Sequence, residues 1–129
     1  MRKNLLMAIL LFVSCGLAVA QAAPEKKTMT QVLDSSVKII ESEFVPADEA
    51  MPEDKFEFAP TTGEFKGVRT FAQQVKHVSA VNYLVGASIL GEKPPVDIGG
   101  ESGPDNIKSK ADIVKFAKDS FAYAHKAIA

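Results

Sequence analysis

Thr70-Phe71-Ala72-Gln73-Gln74-Val75-Lys76-His77-Val78-Ser79-Ala80-Val81-Asn82-Tyr83-Leu84-Val85-Gly86-Ala87-Ser88-Ile89-Leu90-Gly91 reads as one helix with both ends written into it. Thr70 and Gln73 stand as a capping box, the hydroxyl accepting from the backbone three residues on and the amide side chain reaching back. Phe71, Val75, Val78, Asn82, Val85 and Ile89 recur at alternating gaps of 4 and 3, the spacing of one helical face. That stripe is the expected core face. Its polar member, Asn82, needs a partner on a neighbouring helix or a water. Gly91 is the expected stop, since a left-handed residue closes a helix at little cost only when it lacks a Cβ.

The same grammar appears on either side. Upstream, Thr28-Met29-Thr30-Gln31 is a second capping box. Leu33, Val37, Ile40 and Phe44 follow on one face, widened by Val32 and Ile39. Pro46 is expected to kink this helix and Pro52 to end it. Downstream, Ser109 to Asp112 resembles a third start, with the aspartate near the positive helix end. Ile113, Ala117, Phe121, Ala124 and Ile128 continue the pattern, and Phe116 and Tyr123 form a second apolar line seven residues apart. Pro52 to Gly67 reads as an acidic, irregular linker, and Glu92 to Ile107 as a long loop rich in Gly and Pro. Such a loop often covers a site or a bundle end. The fold class expected is all-α. Three amphipathic helices with wide apolar arcs want a fourth partner, and the chain stops at Ala129 inside a helical pattern, so the expectation is a bundle that is C-terminally incomplete.

The chain has 129 residues and a formal charge of −1, which fits one small domain and gives no reason to expect nucleic acid as a partner. Residues 1–20 read as a signal peptide. Arg2 and Lys3 precede the apolar run Leu5 to Val13, and Ala18-Val19-Ala20 offers small residues to a peptidase. The expected location is periplasmic or secreted, with no membrane attachment after cleavage. Two alternatives stay open. One is an uncleaved anchor. The other is lipidation at Cys15, which fits less well, because Phe12 suits the first position of such a signal poorly and Gly16 to Ala20 is no polar tether. Residues 21–27 form a polar stub, and 28–129 the helical domain. Cys15 is the only cysteine, so a cleaved chain has neither disulfides nor thiol ligands.

Few residues carry obvious chemistry. His77 and His125 lie on different helices, so no single helix supplies two metal ligands. His77, beside the apolar arc, reads as a half-buried structural histidine. His125 reads as exposed at a helix end. No serine sits in a nucleophile elbow. Gly99-Gly100-Glu101-Ser102-Gly103 lacks the lysine and the preceding strand of a phosphate loop. No carboxylates appear paired on an apolar helical face. Asp97, Glu101 and Asp105 on the loop could meet a hard cation, and Tyr83 and Tyr123 read as core residues with hydroxyls at the rim. The lysines of the third helix (Lys108, Lys110, Lys115, Lys118, Lys126) read as a solvated face that offsets the acidic segment across the bundle.

Several motifs taken together resemble the DinB-like family (damage-inducible protein B, or DinB/YfiT-like metalloenzymes), in particular its exported bacterial members. They are Met51-Pro52-Glu53-Asp54-Lys55-Phe56-Glu57-Phe58-Ala59-Pro60, Arg69 to Val78, Asn82-Tyr83, Gly91-Glu92-Lys93-Pro94-Pro95 and the helix start from Ser109 to Phe116. The resemblance covers most of Thr28 to Ala129. It implies a DinB-like four-helix bundle, of which about three helices are present. It implies a divalent metal, zinc or nickel, held by three histidines, one on the second helix and two on the fourth. Only His77 falls on a matching ligand position; His125 does not. Some relatives are thiol-dependent transferases. The expected function is therefore an exported metal-dependent enzyme of unknown reaction with His77 as metal ligand. The alternative is a non-catalytic helical binding module or an inactive fragment. An uncovered apolar face further suggests a homodimer.

Overall fold

A computed structural model of the protein describes residues 25–129; the leader, its cleavage positions and Cys15 lie outside the described residues. The described chain is all-α. It comprises α1 (Met29–Ala50), α2 (Phe71–Leu90) and α3 (Lys110–Ile128), with single 3₁₀ turns at Glu53–Lys55 and Gly63–Phe65 in the first connection. Both capping boxes form as read: Gln31 N–H donates to Thr28 Oγ1 at 3.1 Å, and Gln73 N–H to Thr70 Oγ1 at 3.2 Å. Ser109 caps α3, accepting from Asp112 N–H. Gly91 closes α2 at φ 68°. Pro46 lies inside α1, which continues through it to Ala50.

The helices are arranged around α3. It packs against both α1 and α2, most extensively α2. Its buried arc has three parts. Phe116, Tyr123 and Ala127 face α2, where Tyr83 lies 5.3 Å from the Phe116 ring and 5.4 Å from the Tyr123 ring. Phe121 and His125 face α1, where Phe44 meets the Phe121 ring at 5.9 Å. Ile113, Ala117 and Ser120 sit between these flanks and are fully buried. Asn82 finds the partner its position demands, donating to Ser120 Oγ at 3.2 Å.

Two apolar faces differ from the sequence expectation. On α2 the buried residues are Ala72, Val75, Lys76, Ser79, Ala80, Tyr83, Gly86 and Ala87, while Val85 and Ile89 are exposed. The helix turns its small residues to α3 because they allow a close approach. A Cβ on Gly86 would lie 2.8 Å from the Tyr123 ring. On α1, Leu33, Ile39 and Ile40 are exposed, and the buried residues are Val45 and Asp48. This helix is rotated toward its acidic edge, where Asp34 and Glu41 bind His125. The irregular linker also does more than connect. Phe56 is buried in the core and stacks edge-on with Phe71 at 5.2 Å, while its carbonyl accepts from Ala72 N–H.

The lysines of α3 do meet the acidic segment. Lys118 pairs with Glu49 at 2.5 Å, and Lys110 donates to the carbonyls of Glu49 and Met51 at 2.8 and 2.7 Å. The last turn of α1 has no basic residue of its own, so Lys110 satisfies carbonyls that helix termination leaves open.

Asp48 is the anomaly of this core. It is 1% exposed, and its Oδ2 has no hydrogen-bond partner. Burial, reinforced by the charge of Glu49, pushes its carboxyl up to about 7 from 3.8. The folded state thus holds a proton that the unfolded chain releases, and stability falls as pH rises from about 3.8 to about 7. Asp48→Asn keeps the shape and removes the ionisation. Its stability relative to the parent is expected to grow by about 2–4 kcal/mol between pH 4 and pH 8 in denaturant melts.

Candidate functional site

His77 sits on the side of α2 turned away from α3. It begins a line with Val81 and Leu84 at i, i+4 and i+7, and both of these apolar side chains are exposed. The imidazole is half-buried, in agreement with its position beside the apolar arc. It lines an open cleft of about 350 Å³ with Ala80, Val81, Leu84, Ile98, Gly99 and Glu101. One wall of that cleft is α2; the other is the glycine-rich loop.

Three attachments hold the loop in place. Lys76, buried on α2, donates from Nζ to the carbonyl of Pro104 at 2.8 Å and to that of Ile107 at 3.4 Å. Arg69 grips Glu101 twice, through the backbone carbonyl at 3.0 Å and the carboxylate at 2.9 Å. Tyr123 donates its hydroxyl to Glu92 at 2.8 Å, which fastens the start of the loop; burial first, then this hydrogen bond and the Glu92 charge, raise the phenol above its ordinary value. Ile98 and Ile107 pack against the aromatic cluster of Tyr83, Phe116 and Tyr123. The loop therefore covers the seam between α2 and α3, as its length suggests. Gly99 and Gly103 serve this geometry. Gly103 has φ 74°, and a Cβ there would collide with Lys76.

The other candidates fall elsewhere. His125 is not an exposed helix-end residue; its side chain is 25% exposed and lies between Asp34 Oδ1 at 2.5 Å and Glu41 Oε2 at 3.1 Å. Asp34, Glu41 and Asp48 stand seven residues apart and share the face of α1 that meets α3. Three carboxylates therefore lie along one helical face, and two of them, Asp34 and Glu41, converge on His125 rather than on each other. Their heptad spacing was the clue available in the sequence, hidden because the larger apolar residues drew the stripe to one side. Of the loop acids, Glu101 is committed to Arg69, and Asp97 accepts from Gly99 N–H within its own turn.

Among the described residues, no three His, Cys, Asp or Glu side chains gather closely enough to hold a metal ion. The Asp34–His125–Glu41 group does not qualify, because its carboxylates bind opposite nitrogens of one ring. His77 is a single donor at the edge of a cleft, so the described residues do not by themselves fit a zinc or nickel centre. None of the described helices is long and apolar enough to cross a membrane. No family model, curated protein or solved structure matches the chain.

Gly103→Ala tests the seating of the loop. The strained backbone and the collision with Lys76 are expected to lower stability by about 2 kcal/mol or more. Limited proteolysis should then cut between residues 92 and 108, a stretch expected to stay intact in the parent chain under the same conditions.

Proposed function

We propose that the chain is an exported, DinB-like helical scaffold in which His77 is one ligand of a divalent metal, zinc or nickel. The observation that carries this reading is the placement of His77. It heads an uncovered apolar line on α2, and a well-anchored loop walls the same cleft. A fourth helix packed along Val81 and Leu84 would cover that line and bring further donors to the imidazole, which is the four-helix arrangement the family resemblance implies. Since the described residues supply one donor, no reaction step is assigned to the site. The reaction class favoured by the resemblance is a thiol-dependent transfer.

A second reading rests on a different face. Val37, Val85, Ile89, Ala124 and Ile128 line an apolar groove shared by α1, α2 and α3, and Leu33 and Ile40 lie exposed on α1. A non-catalytic module that binds a partner helix, or forms a homodimer, would use such a surface.

Metal stoichiometry on the purified chain separates these readings when combined with sedimentation. After zinc or nickel loading and desalting, about one ion per chain or per dimer is expected, in a site that association or donors beyond the described residues complete, and it should be lost in His77→Ala. A metal-free chain that self-associates would overturn the metal reading in favour of the interaction module.

A further inference from the structure

We infer that His125, clasped between Asp34 and Glu41, is a pH-sensitive latch that holds the N-terminal half of α1 on α3. Each ring nitrogen faces a carboxylate oxygen, Nδ1 at 2.5 Å from Asp34 and Nε2 at 3.1 Å from Glu41. Only the imidazolium can donate from both nitrogens. Loss of the proton leaves one nitrogen with a lone pair directed at a carboxylate, which turns an attraction into a repulsion.

The latch matters because little else secures this part of the helix. The buried residues of α1, Val45 and Asp48, lie in its second half. That half is also held by Phe44 on Phe121, by Lys118 on Glu49 and by Lys110. Between Met29 and Ile40 no residue is fully buried. Val37, which lines the groove, lies about one turn from both Asp34 and Glu41, so the clasp sets how closely this half approaches α3.

The charged surroundings are simple. From α1, Asp34 and Glu41 face the ring, and Lys38, between them in sequence, is exposed. From α2, the groove at this end presents Asn82, Val85, Gly86 and Ile89, none of which titrates. On α3 itself, Lys126 is exposed. The hydrogen bond to Asp34 raises the imidazole above 6.5, burial opposes it, and Glu41 raises it further. The latch therefore contributes fully below about 6.5 and is lost as pH rises through the higher folded value.

Amide hydrogen exchange and imidazole NMR on the chain test this together. After correction for the intrinsic rate, protection of amides 32–40 relative to amides 75–83 is expected to fall about threefold or more from pH 6 to pH 9. The His125 ring should titrate above the ordinary histidine range. In the double variant Asp34→Asn/Glu41→Gln, the titration should return toward that range, and the pH dependence of α1 protection should shrink to the share that buried Asp48 contributes, which Asp48→Asn removes and so measures separately. A parent ring that titrates at or below the ordinary range overturns the latch. So does protection of α1 that tracks α2 at every pH, and both are read on the parent chain even if the variant folds poorly.

Discussion

The arrangement depends on one helix serving two partners at once. α3 meets α2 with Phe116 and Tyr123 and meets α1 with Phe121 and His125, while Ile113, Ala117 and Ser120 fill the arc between. A buried arc this wide leaves only a narrow polar strip, and the lysines occupy it. α1 and α2 owe their positions to α3 far more than to each other. The apolar groove between them follows directly from that geometry, as does the exposure of Leu33, Ile40, Val85 and Ile89.

Much of this was legible in the sequence. Element type and ends were carried by local chemistry: the Thr28 and Thr70 capping boxes, Ser109, Gly91 and Pro52 each act within a turn of their own position. The second apolar line of α3, Phe116 and Tyr123, also reads correctly, because large side chains seven apart have to be covered on the same flank. The buried faces of α1 and α2 were less legible. Periodicity weights bulky residues, whereas α2 buries Ala72, Ser79, Ala80, Gly86 and Ala87, and of these Gly86 and Ala87 meet the aromatic rings contributed by α3. The size of a side chain says how much surface it could bury, and the partner's shape decides whether it does.

The polar residues divide along the same line. His77 lies half-buried beside the apolar arc, as its spacing indicates. His125 does not lie where helix-end statistics would put it, because its environment is set by acids far upstream in the chain. Asp48 was similarly hidden within an acidic stretch that otherwise faces solvent. Charge runs describe an average, and a rotation of α1 by a fraction of a turn is enough to carry one member of the run into the interior.

The lysine that finishes α1 has a consequence for the order of folding. Lys110 binds the carbonyls of Glu49 and Met51 across sequence separations of 61 and 59 residues. These bonds exist only after the chain has closed a loop of that length, with its entropic cost already met. The α2–α3 pair, by contrast, is joined by a connection of fewer than twenty residues, from Gly91 to Ser109. Contacts of shorter reach form sooner. The first of the described helices to be synthesised is thus the last whose terminus can be completed.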